Sequence, residues 1–278
     1  MPADHDPSEL DLDAYLRRVR WSGEPTANAE TLRSLHRAHV LHIPFENVEA
    51  VSGSAPSLAL SDLTDKLVRS PRGGYCYEHN TLLATALRAC GFTVGYLTAR
   101  VRATERGERP TRPRTHMVLL VRVPGSETPY LADAGFGTTG LLEAVPLVAD
   151  TVHERGAWQV RLVREPHEGP QDLWLLQLRP RDAPWRDLYA FTREPFESAD
   201  MEVANWYVAT HPRSPFHRRL FAHRAGVDSH LTLVDRTLVR TGADGTVVEE
   251  ELGDGAAVLR ALAADFGIDL PAGTELPV

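Results

Sequence analysis

The sequence predicts an α+β fold built in three successive parts, and three observations predict it. Apolar residues recur at helical spacing through the first third, fall into short strand-like runs through the middle, and do both in the last third. At 278 residues the chain also exceeds the size at which one core usually stops growing, so two or three packed units are expected.

In the first third, Leu10, Leu12, Tyr15, Leu16 and Val19 share one helical face, as do Leu32, Leu35, Ala38 and Leu41 before Pro44 stops that helix. A third amphipathic stretch is expected to open at Ser61 as N-cap, run through Leu63 and Leu67 to Arg69, and end at Pro71. Leu82, Leu83, Ala86, Leu87 and Cys90 then form a stripe closed by Gly91, which puts Cys76 at the start of that helix. Strands are expected over residues 94–101, 116–123, 130–134, 158–163, 173–178 and 188–191. The charged stretch 102–114, with two prolines, reads as an exposed loop. Residues 198–209 read as a helix, 230–240 and 246–252 as a hairpin around Gly242-Ala243-Asp244-Gly245, and 255–266 as a last helix.

Composition narrows the function. A net charge of −8 opposes a sequence-independent grip on nucleic acid, which needs a concentrated excess of Lys and Arg. No apolar run approaches the roughly 20 residues that span a bilayer, and residues 1–9 are polar and acidic, so no membrane partner and a cytoplasmic location are expected. Cys76 and Cys90 are the two cysteines. On one helix they would stand about 21 Å apart, beyond disulfide reach, and two thiols alone build no zinc site, so no metal is expected.

The chemistry concentrates in Arg72-Gly73-Gly74-Tyr75-Cys76-Tyr77-Glu78-His79-Asn80. A cysteine reacts as its thiolate, which a helix N-terminus stabilises through unpaired N–H groups and the positive end of the helix dipole. Gly73 and Gly74 allow a sharp turn into the helix. A buried structural thiol after a glycine turn is the other reading of the same pattern. His116 opens a strand and shares a face with Val118 and Leu120; it is either a general base or a hydrogen-bonded core residue. Asp133, in Tyr130-Leu131-Ala132-Asp133-Ala134-Gly135, is an acid among apolar neighbours that requires a partner. A turn centred on Pro124-Gly125 places His116 directly opposite Asp133, whereas one centred between Ser126 and Glu127 places Leu120 there.

These residues resemble the signature of the arylamine N-acetyltransferases: Arg-Gly-Gly-aromatic-Cys followed by Glu and Asn at the second and fourth positions after the cysteine. His42-Ile43-Pro44-Phe45-Glu46-Asn47, Thr115-His116-Met117 and Asp133-Ala134-Gly135-Phe136-Gly137 match in the same order. The resemblance implies a cysteine-protease-like three-domain architecture: a helical bundle over residues 1–91, a β-barrel over 92–196 and an α/β lid over 197–278. It implies a Cys76–His116–Asp133 triad and a ping-pong reaction. Acetyl-CoA would load the cysteine, and an arylamine, arylhydroxylamine or hydrazine would take the acetyl group.

The resemblance further implies that Phe45, Tyr77 and Phe136 line the acceptor pocket, and that Gly135, Gly137, His211 and Phe216 border CoA. The continuation Thr138-Thr139-Gly140-Leu141 departs from the usual Gly and Pro pattern there. Arg72, Glu46, Asn47, Glu78 and Asn80 read as scaffold. The same triad also suits an amide synthase that moves a larger acyl group from an acyl carrier protein onto an aromatic amine. A cysteine hydrolase is the rival from another class.

Overall fold

The computed structural model describes residues 6–102, 112–137, 140–155, 158–180, 183–242 and 244–278. Most of the expected loop at 102–114, Thr138, Thr139 and Ala243 of the expected hairpin turn lie outside the described residues.

Helix α1, Leu12–Arg18, starts where the Asp11 carboxylate accepts the Ala14 N–H at 2.9 Å. Helix α2, Ala29–His42, starts where Asn28 accepts the N–H groups of Glu30 and Thr31, and ends just ahead of Pro44. Strand β1, Phe45–Glu46, and the single turn α3, Val48–Val51, follow. The third helix begins before Ser61: α4 is Leu60–Leu63 with Ala59 as N-cap and no side-chain cap. Leu60, like Leu63 and Leu67, is buried, and reaching that core draws residue 60 onto the helix. A wider turn, Thr64–Val68, continues it and closes with the Arg69 N–H on the Thr64 carbonyl. Helix α5, Cys76–Ala89, is followed by Gly91 at φ +91, in the left-handed conformation the sequence leads one to expect. From α1 the Arg18 guanidinium bonds the carbonyls of Leu67 and Arg72, tying α1 to the segment ahead of α5.

Eight antiparallel strands form the middle of the molecule: β2 Thr93–Val101, β3 His116–Arg122, β4 Tyr130–Ala132, β5 Val145–Pro146, β6 Val152–Arg155, β7 Trp158–Glu165, β8 Leu173–Pro180 and β9 Arg186–Phe191. Their order is β5-β4-β3-β2-β9-β8-β7-β6, and a bridge between Ala149 and Leu162 brings the two ends together into a barrel-like layer. Leu97, Val118, Leu162, Trp174, Leu176 and Phe191 fill its interior.

The β3–β4 hairpin takes neither of the registers considered above. Its β-turn does fall on Pro124-Gly125, with Ser126 N–H on the Val123 carbonyl and Gly125 at φ +77. Residues 127–129 then lengthen the return side, so Leu119 opposes Ala132 and Val121 opposes Tyr130. Partner numbers sum to 251 rather than 249 or 253, and β4 stops at Ala132 instead of reaching 134. A two-residue shift keeps every side chain on its original face. Asp133 therefore leaves the strand on the same side as His116, as a diagonal neighbour rather than a facing one.

Helix α6, Ser198–Thr210, and the single turn α7, Pro215–Arg218, lead into the last sheet. Its strands are β10 Phe221–Ala225, β11 Ser229–Val234, β12 Thr237–Gly242 and β13 Val247–Glu251, in the antiparallel order β1-β10-β11-β12-β13. The expected single run 230–240 is thus a hairpin of its own, folded at Asp235, which sits at φ +54. Helix α8, Gly255–Ala261, ends through a wider turn, Leu262–Phe266, at the left-handed Gly267.

Two features stitch the C-terminal third to the first. Strand β1 pairs with β10, Phe45 opposite His223, and Met201, Val208 and Ala209 of α6 are buried in the same core as Leu32, Leu83 and Leu87.

Candidate active site

The first residue of α5 is Cys76, 4% exposed. The turn that delivers it is built by close contact. A Cβ on Gly73 would stand 1.8 Å from the Pro44 carbonyl oxygen, and one on Gly74 would stand 2.6 Å from a Glu78 carboxylate oxygen. Glu78 accepts the Tyr75 N–H at 3.0 Å, satisfying a donor at the helix start. Its other oxygen takes Lys66 Nζ at 2.7 Å, and Lys66 also meets Glu49 at 2.7 Å. Burial pushes the Glu78 carboxyl up to about 7 against the pull of Lys66; burial opposes the Lys66 charge as well, but the surrounding carboxylates outweigh it and raise that group. Arg72 places both Nε, at 2.9 Å, and Nη2, at 2.6 Å, on a single Glu46 oxygen, while the other Glu46 oxygen accepts the Val48 N–H.

Across from this helix start, His116 Nε2 lies 2.7 Å from Asp133 Oδ2. The second Asp133 oxygen accepts Asn80 Nδ2 at 3.1 Å and the Gly135 N–H at 3.0 Å, so the buried carboxylate is fully engaged. Burial opposes charge on both partners, yet each overrides it for the other. Asp133 is held below its ordinary value, and the carboxylate raises His116 to about 10. The Cys76 thiol contributes in the same direction to His116 and also faces the Thr115 carbonyl at 4.0 Å. With Nε2 committed to Asp133, Nδ1 is the ring nitrogen left for the thiol.

Besides His116 on β3, two helices hold the aspartate. Asn80, on α5, donates to Met117 O and Asp133 while its own oxygen accepts the Ala134 N–H at 3.0 Å. His36, on α2, accepts the Asp133 N–H at Nε2 and donates from Nδ1 to the Leu142 carbonyl. Asn80 thus touches the carboxylate itself, beyond the backbone role its sequence position suggests. His36 was not singled out by the sequence; its signal is a histidine on the face of α2 that also carries Leu32 and Leu35.

The remaining candidates divide into two groups. Phe136 sets its ring edge-on to His116 at 5.2 Å, and Tyr77, fully buried, donates its hydroxyl to the Thr115 carbonyl at 2.9 Å. Phe45 meets Phe216 at 6.1 Å and His223 at 5.1 Å, and Phe216 meets Tyr75 at 5.9 Å. A Cβ on Gly135 would lie 2.5 Å from Cys76 Cα, and Gly137, at φ +92, passes against His223. His211 instead closes α6, stacked on Tyr207 at 4.5 Å and accepting the Arg213 N–H; neither partner is another candidate. Among the described residues no group of three or more His, Cys, Asp or Glu is arranged to hold a metal ion, and no helix is long and apolar enough to cross a membrane.

A thiol at a helix start beside a histidine–carboxylate pair, set where a helical layer meets a barrel-like sheet, defines an α+β protein of the cysteine-protease-like architectural class. Residues 28–274 match the family described as N-acetyltransferase. The chain is 38% identical over 264 residues to the arylamine N-acetyltransferase of Mycolicibacterium smegmatis, covering 94% of this chain and 93% of that one. It superposes on the Nocardia farcinica arylamine N-acetyltransferase crystal structure with a TM-score of 0.90 at 41% identity, covering 98% and 94% of the two chains. The Mycobacterium marinum arylamine N-acetyltransferase in complex with CoA gives 0.85 at 35% identity, covering 93% of each. The chain belongs to the arylamine N-acetyltransferase family.

Proposed function

We propose that this protein transfers an acetyl group from acetyl-CoA to an arylamine, arylhydroxylamine or hydrazine, through an acetyl thioester on Cys76. The observation that carries the reading is the buried His116–Asp133 pair beside a thiol at the start of α5. A relative of known structure binds CoA.

His116 takes the proton of the Cys76 thiol, and the thiolate attacks the thioester carbonyl, with the backbone N–H groups at the α5 start stabilising the oxyanion. The carbon–sulfur bond to CoA breaks, and the CoA thiolate takes the proton from His116. The amine then attacks the acetyl-cysteine, its proton passes to the now neutral His116, and Cys76 leaves as the thiolate. Asp133 holds the imidazole and its charge, with Asn80 and His36 holding Asp133.

Phe45 and Phe136 serve as the acceptor wall, the aromatic surface on which a flat ring packs, and Tyr77, fully buried, supports it from within through its bond to the Thr115 carbonyl. Gly135, Gly137, His211 and Phe216 are assigned to the CoA side. The chain is divided at residues 91 and 196 into helical, barrel and lid units, with β1 and α6 bridging the outer two.

Incubation with acetyl-CoA alone, read by intact-protein mass, gives a gain of one acetyl group on Cys76 that Cys76→Ala abolishes. Acetylation that survives the substitution removes the mechanism. A panel of acyl-CoAs beside carrier-bound acyl groups separates this reaction from amide synthesis, because loading only from the carrier selects the latter.

A further inference from the structure

A second buried hydrogen-bonded chain runs alongside the candidate triad and shares no residue with it. Tyr15 Oη lies 2.8 Å from His39 Nδ1, His39 Nε2 lies 2.9 Å from His79 Nδ1, and His79 Nε2 lies 3.1 Å from the Pro44 carbonyl oxygen. Tyr15 and His39 are fully buried and His79 is 1% exposed. They come from α1, α2 and α5, so the chain crosses the helical layer and ends on the residue before Phe45.

Its proton pattern is dictated from that end. A carbonyl oxygen only accepts, so His79 Nε2 carries the proton. A neutral imidazole has one N–H, so His79 Nδ1 accepts, His39 Nε2 donates, and His39 Nδ1 accepts from the Tyr15 hydroxyl. Burial keeps both rings neutral, pushing His79 down to about 4 and His39 well below its ordinary value. A proton added to His79 would set its Nδ1–H against the His39 Nε2–H, and one added to His39 would turn the Tyr15 hydroxyl from donor to acceptor. Along the chain each donor meets an acceptor, and the Gly74 backbone is a further partner of the His79 ring.

Two bonds in the ring plane, at opposite nitrogens, fix the plane of His79. Phe45 lies parallel to it, with an interplanar angle of 5° and centroids 6.3 Å apart. The carbonyl at the chain's end belongs to Pro44, against which Gly73 is pressed. One chain therefore sets the backbone entering Phe45 and the surface under its ring.

We propose that Tyr15, His39 and His79 are positioning residues for the acceptor step, holding the Phe45 ring in the plane in which it meets the aromatic amine. The proposal rests on Phe45 belonging to the acceptor wall. Its effect should fall on the second half-reaction, because neither His116 nor Asp133 is bonded to the chain.

The test separates the half-reactions in the full-length protein. Acetyl loading of Cys76 is timed by quenched intact mass, and de-acetylation of the loaded protein is timed against an aniline concentration series. His79→Leu is expected to raise the aniline concentration for half-maximal rate about tenfold, equivalent to about 1.4 kcal/mol, while loading changes much less. His79→Gln, whose amide supplies both a donor and an acceptor, should recover most of the difference. Equal slowing of both half-reactions, or of neither, by His79→Leu overturns the proposal provided that Phe45→Leu raises the aniline requirement. If Phe45→Leu leaves that requirement unmoved, the assignment of Phe45 fails first and the proposal with it. Nitrogen-15 spectra of histidine-labelled unsubstituted protein test the chain without any variant: His39 and His79 should both appear as neutral Nε2–H tautomers near pH 7. An Nδ1–H tautomer or an imidazolium at either position overturns it as well.

Discussion

Gly135 rests directly on the backbone of Cys76: a Cβ added to it would stand 2.5 Å from Cys76 Cα and 3.0 Å from the Cys76 carbonyl oxygen. Backbone cannot swing aside as a long side chain does, so one methyl group must separate the loop after β4 from the start of α5. That loop carries Asp133, and Gly135 N–H is one of the donors on its carboxylate. Gly135→Ala is expected to destabilise the protein by about 1–3 kcal/mol, the usual cost of overpacking, and to slow acetyl loading of Cys76 far more than that loss alone explains. Urea unfolding and loading kinetics on the same preparation check it; an alanine variant that loads at the original rate shows that the contact is not part of the site's geometry.

The His116–Asp133 pair predicts a pH dependence with a definite sign. His116 titrates at about 10 in the folded protein against an ordinary 6.5, so its contribution is fully present below about pH 6.5 and is lost as pH rises toward 10. Asp133 is held below its ordinary 3.8, so its contribution is present above that value and fades as pH falls further. Asp133→Asn removes the carboxylate that raises His116 and leaves burial to lower it. The stability gap between the two proteins is expected to be widest between about pH 4 and 6.5, on the order of a few kcal/mol, and to close toward pH 10. Denaturant midpoints across that range measure it, and a gap independent of pH contradicts the assignment.

How legible this site was follows from which signals are local. The apolar stripe from Leu82 to Cys90, closed by Gly91, is enough to start a helix at Cys76, and the structure starts it there. The faces of His116 and Asp133 were also legible, because side-chain direction in a strand has period two and survives a two-residue change of register. Their hydrogen bond was implied by the family resemblance but not by the strand pattern, because residues 127–129 decide the register and carry no periodicity of their own. Strand β1 was missed for a related reason: two residues after a proline show no pattern, and their partner, His223, lies near the other end of the chain. His36, His39 and His79 sit on apolar helix faces, where sequence alone does not separate a satisfied core histidine from one that holds a neighbour in place.

Beneath the glycine turn, Lys66 is the cation that allows Glu78 to be charged at all. Glu78 is 1% exposed and its carboxyl already stands at about 7, pushed up by burial despite Lys66 Nζ at 2.7 Å. Lys66→Met removes the principal opposing influence, so the Glu78 carboxyl rises further and the folded protein takes up a proton at pH values where the unfolded chain does not. A raised folded value gives stability below the ordinary 4.5 that is lost as pH climbs through the folded value. The variant should therefore lie close to the original protein up to about pH 7 and fall behind it by about 1.4 kcal/mol by pH 8, the linkage of one proton over the one unit above the Glu78 value of about 7. Because Glu78 accepts the Tyr75 N–H immediately before Cys76, the same pH interval should also see acetyl loading slow in the variant. Thermal unfolding and loading rates measured together from pH 5 to pH 8 decide the point: a deficit constant across the interval would place the role of Lys66 in packing rather than in the charge state of Glu78.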